Sequence, residues 1–315
     1  MIIPFVGMII ITNPSAGGAV GIDRGIFAGR YNSFGSPAYY STRIDYVEIS
    51  TTGDGTDFGD LSSGRNKNEG CADATRGLSM GGNNSSQTMQ NIIEYITIAT
   101  TGDMTDFGDL LEIHREGTGF NSPTRGILFG NANTPQNRIQ YIEIQTLANS
   151  LDFGDSALDI YANAGYSSDT RGCSSGGYDN GTHNEIEYIT IASTGNATDF
   201  GDLTAAKFMS HGCGSVTRGI SMGGNISGAI NVIEYVTIAS IGNATDFGDT
   251  IDNANGWIAS SNSVRAIWGG GTDGWYDEIE YVTIASTGNA TAFGEMAETG
   301  YDGAGFSDVN GGLGA

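Results

Sequence analysis

Acids at three-residue intervals are the first pattern here with chemical potential. Asp54, Asp57 and Asp60 in "TGDGTDFGD" could offer hard carboxylate oxygens to Ca²⁺. Their spacing is not that of an EF-hand loop, and a second reading competes with it: the first acid of each such phrase pairs with a repeated arginine. The tripeptide DFG suggests a kinase magnesium site, but it recurs along the chain, where Lys67 and Lys207 are the only lysines. A kinase needs a Gly-rich loop, a strand lysine and a catalytic aspartate around that tripeptide, so the reading fails. His114, His183 and His211 stand in three unrelated contexts with no nucleophile motif, and read as surface histidines. Cys71, Cys173 and Cys213 form neither a metal-spaced pair nor a disulfide framework, and read as small core residues. "NAT" at Asn196, Asn243 and Asn289 fits a glycosylation sequon, yet it recurs because a turn recurs. The residues therefore point to neither an active site nor a resident cofactor, with calcium as the one weaker candidate.

Composition narrows the partners. The 315 residues carry 36 acids against 13 bases, a formal charge of -23, with 50 Gly and 5 Pro. Such a field repels phosphate backbones and anionic lipid, which excludes nucleic acid and argues against membrane insertion. The opening "MIIPFVGMIII" lacks a basic n-region and is broken by Pro4 and Gly7, so it reads as a buried strand rather than a leader or anchor.

The elements that must position any site repeat. Tyr46, Tyr95, Tyr141, Tyr188, Tyr235 and Tyr281 lie 49, 46, 47, 47 and 46 residues apart. Twelve residues after each comes a Phe: Phe58, Phe107, Phe153, Phe200, Phe247 and Phe293. Thirty residues after the first five come Arg76, Arg125, Arg171, Arg218 and Arg265, and Arg24 opens the first unit in the same way. "IEYVTI" alternates and is β-branched, "STGN" turns, "ATDFGDL" returns, and "TRGISMGG" with a small-residue segment precedes them. Four short strands in about 47 residues, apolar on both faces, predict an all-β single domain over residues 1–315, a β-propeller whose tyrosine phrase is the outer half of each blade. The repeated arginines, buried against carboxylates or carbonyls, are expected to be structural. Seven blades are favoured, with six as the alternative. "GAGFSDVNGGLGA" looks like the start of a seventh unit, and "PFVGM" would help close the ring from the other terminus, which also removes exposed edges.

The strand ending in Gly-Gly, the variable loop and the following aromatic strand resemble the layout of kelch repeats. More closely, the "TRG…GG…IEYVTIASTGNATDFGDL" units resemble kelch-like β-propeller repeat proteins of marine tailed bacteriophages, over about residues 13 to 302. That resemblance implies a virion or tail-associated binding role, with the protein extracellular when mature. It brings no catalytic residues.

Length variation points to a face. Arg to Tyr within a unit runs 22, 19, 16, 17, 17 and 16 residues, while Tyr to the next Arg stays at 30. The variable loop and the sequence-variable connection between blades leave a four-stranded meander on one side, and "STGNAT" repeats on the other. Loops on a rigid scaffold are where recognition resides. The candidate binding residues on the variable face are Tyr31, Phe34, Tyr39, Tyr40, His114, Arg115, Tyr178, Trp257, Trp275 and Tyr276. Exposed aromatics offer contact area to proteins and stacking faces to sugars. The expectation is a non-catalytic adhesin for a host-surface glycan or protein. The alternatives are a structural virion protein docking another viral protein and, less favoured, a glycan-active enzyme, for which convergent carboxylates near the axis would be needed.

Overall fold

A computed structural model describes residues 22–33, 38–134, 136–272 and 277–309. Six four-stranded antiparallel sheets account for almost all of its strands. In blade 3 the order from the axis outward is Thr118–Asn121, Arg125–Phe129, Arg138–Glu143 and Leu151–Asp155. Blades 2, 4, 5 and 6 repeat that order, beginning with inner strands Glu69–Ala72, Ala164–Ser167, His211–Gly214 and Trp257–Ser261. Blade 1 draws its inner strand, Ala304–Ser307, from the far end of the chain and pairs it with Arg24–Asn32. The tyrosine strand is third and "TDFGD" outermost, as the repeated phrase predicts.

The ring has six blades, not the favoured seven. Each inner strand packs on the next, and the last packs on the first. The reason lies in one position. Gly70, Gly119, Gly165, Gly212, Ala259 and Gly305 line the axis, and a Cβ at any of the five glycines would overlap an atom of the neighbouring inner strand. With nothing larger than a methyl group in that column, six inner strands fill the centre, and a seventh would force them apart. "GAGFSDV" is thus no new unit. It completes the unit whose arginine is Arg24, and Asp308 caps the backbone N–H groups of Asp23 and Arg24 across the gap. The "PFVGM" segment expected to share in closure lies outside the described residues.

Three repeated side chains stitch each blade to its neighbour. The first is the arginine, whose guanidinium lies 4.2–4.6 Å above the tyrosine ring of its own blade. From there its Nη1 donates to a backbone carbonyl of the next blade: Arg24 to Ile98, Arg76 to Ile144, Arg125 to Ile191, Arg171 to Ile238, Arg218 to Ile284 and Arg265 to Ile49. The expected pairing with the first acid of each phrase is not seen: besides the carbonyl, only Arg125 meets a carboxylate, that of Glu143. A carbonyl and a ring face suffice for a guanidinium that keeps contact with water. Each tyrosine in turn meets its phenylalanine edge-on at 6.0–6.1 Å.

The second stitch explains the near-verbatim turn. Oδ1 of Asp54, Asp103, Asn149, Asn196, Asn243 or Asn289 accepts an N–H from the outermost strand of the preceding blade at 3.0–3.2 Å. The third is the residue before each tyrosine. A bulge in all six blades sets it off from the preceding isoleucine, as at Ile233/Glu234. It is buried, and from Glu94 to Glu280 it accepts the N–H that begins the preceding blade's exit, such as Thr204 to Glu234. Lys207 pairs with Glu234 and Arg65 with Glu94 in full burial.

Arg218→Ala is therefore expected to cost about 2 to 4 kcal/mol, the sum of a charged hydrogen bond and a cation–π contact. Thermal melts against Arg115→Ala, an arginine outside the repeat position, check this. Equal small shifts would remove the stapling role.

Candidate functional site

The connections between blades reach the axis at one position, 21 residues after each tyrosine: Lys67, Glu116, Ala162, Met209, Gly256 and Asp302. All six have φ between 54° and 71°, a left-handed conformation that costs a non-glycine residue about 1–2 kcal/mol. The reward is a closed hydrogen-bonded circle. Each N–H donates to the carbonyl of the residue one blade back, at 2.5–3.4 Å, and Lys67 N–H to Asp302 O joins the ends. This ring floors the variable face.

Charge gathers on it. The Lys67 ammonium pairs with the Glu116 carboxylate; burial works to lower its pKa, but Asp302 and Glu116 outweigh that and raise it. Burial pushes Asp302 up to about 6, opposed by Lys67 and assisted by Glu116. Below the ring, burial and then these two acids hold Glu69 well above the usual carboxylate range. Burial lowers His211 to about 4, so its imidazole is neutral.

Walls rise from two more repeat positions. Twenty residues after each tyrosine stand Asn66, Arg115, Tyr161, Phe208, Asn255 and Tyr301, and seven after each arginine stand Tyr31, Asn83, Ala132, Tyr178, Asn225 and Thr272. Backbone bonds join them in pairs: Asn66 with Asn83, Arg115 with Ala132, Tyr161 with Tyr178, Phe208 with Asn225, Asn255 with Thr272, and Tyr301 with Tyr31. On one side of the axis Tyr31 meets Tyr40 at 4.9 Å and Tyr301 at 5.7 Å between ring centroids. These tyrosines, Asn66, Asn83 and Arg115 enclose an open pocket of about 390 Å³ over Lys67, Met209 and Asp302. Its size falls within the roughly 300–1,000 Å³ usual for ligand sites. Across the axis Tyr178 packs on Phe208 at 5.2 Å and Tyr161 at 5.8 Å.

The candidate residues thus separate. Tyr31, Tyr40 and Arg115 share the pocket, Tyr178 sits in the second aromatic group, and Tyr39 lies apart, its hydroxyl on the Glu298 carboxylate. Phe34, Trp275 and Tyr276 lie outside the described residues. Trp257 is a correction: it is 1 % exposed and packs in the core with Met222, Ala254 and Trp268, because it begins an inner strand rather than topping a loop. His114 is another. It is buried, with Nε2 2.6 Å from the Gly130 carbonyl, and burial lowers it to about 4, so the neutral ring serves as a bridge between blades 2 and 3. His183 is half-buried between Asp179 and Glu185. The cysteines are buried and free, as expected.

The acids weighed for calcium diverge. Asp54 latches blade 6, Asp57 lies 3.8 Å from Arg43, and Asp60 accepts from Thr42. Among the described residues no group of three or more His, Cys, Asp or Glu is arranged to hold a metal ion. Asn66, Asn83, Tyr301 and the floor were missed by sequence reasoning. They fall in the connection between blades or, for Asn83, in the variable loop, where neighbouring columns also change from unit to unit, so sequence variation alone did not single them out. No family model matches the chain, and no curated protein matches it in sequence.

Proposed function

We propose that this propeller is a non-catalytic recognition module, binding a host-surface glycan or protein at the axial mouth of its variable face. The observation that carries the reading is a coincidence of position. The pocket is walled by loop positions that differ from blade to blade, on a scaffold whose arginine, tyrosine, phenylalanine and turn positions repeat. Variation gathers in the loops of this face while the stitches between blades are kept, which is the pattern of a recognition surface on a rigid frame. Three tyrosines beside amides and an arginine also match what recognition surfaces use: rigid amphipathic rings with directional polar groups. The virion setting rests on the resemblance of the repeated phrase to phage propellers.

Attachment of the purified protein to bacterial cells tests the proposal. Tyr31→Ala with Tyr40→Ala is expected to cut attachment about tenfold or more, the effect of losing an aromatic anchor. Asn196→Ser, on the opposite face, is expected to leave attachment at the parent level. Loss only from the opposite face would refute the site, and release of soluble sugar from the cells would favour the glycan-active enzyme instead.

A further inference from the structure

We infer that Asn180 is a site of spontaneous deamidation, through which the variable face acquires a carboxylate and a lengthened loop after synthesis. This does not rest on the preceding proposal. Asn-Gly is the dipeptide most open to this reaction, because glycine has no Cβ to shield its nitrogen from the amide before it and turns freely. The dipeptide occurs at Asn180-Gly181, Asn255-Gly256 and Asn310-Gly311, the last outside the described residues. The two described copies sit in opposite settings.

Asn180-Gly181 tips the variable loop of blade 4, between strands Arg171–Ser175 and Glu185–Thr190. A bridge from Tyr178 to Thr182 closes a short loop of Asp179, Asn180 and Gly181. Asn180 and Gly181 are exposed, and a Cβ on Gly181 would meet nothing within 4 Å. Asn255-Gly256 is locked instead. Asn255 is 6 % exposed with its Oδ1 on the Thr272 hydroxyl, and the Gly256 N–H donates to the Met209 carbonyl in the axial ring. A nitrogen held there cannot turn toward the side chain before it unless the ring opens.

The reaction needs only water. The Gly181 nitrogen attacks Cγ of Asn180, the new N–Cγ bond replaces the Cγ–Nδ2 bond, and ammonia leaves with the proton that the nitrogen gives up. The Asp179 carboxylate, which accepts the Asn180 N–H and faces that of Gly181, is placed to relay this proton. Water then opens the cyclic imide at either carbonyl, giving aspartate or isoaspartate. Both add one negative charge, and isoaspartate also runs the main chain through Cβ and Cγ, one atom longer. The lengthening falls beside Tyr178, whose ring packs on Tyr161 and Phe208.

The experiment incubates the purified full chain in mildly alkaline buffer and maps its peptides by mass spectrometry, with enzymatic methylation to mark isoaspartate. Expected is a gain of one dalton, with isoaspartate formed, at Asn180, while Asn255 converts at least about a hundredfold more slowly because the ring must open first. In denaturant both sites should convert at similar rates, which assigns the difference to the fold. Gly181→Ala, whose Cβ enters open space, should keep the parent's thermal midpoint and lose most of the conversion at Asn180. Native Asn180 no faster than native Asn255 would overturn the inference, as would undiminished conversion in Gly181→Ala. Aspartate formed without any isoaspartate would overturn the lengthened loop and leave the added charge.

Discussion

Gly305→Ala is expected to abolish the cooperative thermal transition, or to lower stability by more than about 4 kcal/mol. The new Cβ would fall on the carbonyl oxygen of Ala259 in the adjacent inner strand. Backbone cannot rotate away as a side chain can, and the other axial glycines also stand where a Cβ would overlap the neighbouring inner strand, so strain at one joint cannot be passed around the ring. Gly53→Ala is the control: in the exposed turn of blade 1 a Cβ meets nothing within 4 Å, and a shift near zero is expected. Melting curves of both variants by circular dichroism decide the matter. If Gly305→Ala melts like Gly53→Ala, close approach of the inner strands does not set the blade number.

The same glycine column shows how far the sequence could be read. Strand order and the place of each phrase in the blade were legible, because six copies averaged out local noise. What failed were features needing a comparison between distant copies. "GAGFSDVNGGLGA" reads as a seventh unit only while its arginine is looked for downstream; the arginine is Arg24, supplied from the other end of the chain once the ring closes. Glu234 and its counterparts stand in an alternating β-branched strand with nothing in type or spacing to mark them. A bulge turns them into the joint between blades, and nothing in a period of two announces a bulge. Trp257 looked like a loop aromatic because the connection before it varies, although its register with Gly270 makes it the first residue of an inner strand. The pocket was half legible: Tyr31, Tyr40 and Arg115 stood out by type, whereas Asn66 and Asn83 are common loop residues that only the closed ring brings together.

Removing residues 303–315 is expected to be the most damaging change, because it takes the inner strand from blade 1 and leaves Arg24–Asn32 as an open edge at the axis. Phe306, 1 % exposed, would vanish from the core it shares with Ile26, Ala72 and Ile96, and from the slot that Gly77 keeps free of a side chain. The caps from Asp308 to Asp23 and Arg24 would go with it, as would the Ser307 hydroxyl's bond to the Ser261 carbonyl. Losing a buried phenylalanine alone costs roughly 3–5 kcal/mol, a large part of the 5–15 kcal/mol that holds a typical domain together. The open edge would then recruit other chains, so aggregation is the expected result, seen as loss of the monomer peak in size-exclusion chromatography. Phe306→Ala provides the quantitative arm, with a drop of about 3–5 kcal/mol in denaturant melts. A synthetic peptide of residues 303–309, added during refolding, should restore the monomer by donating the missing strand. A truncated chain that stays monomeric and melts like the parent would mean that the ring is held by its side-chain stitches alone, and that the borrowed strand is not its lock.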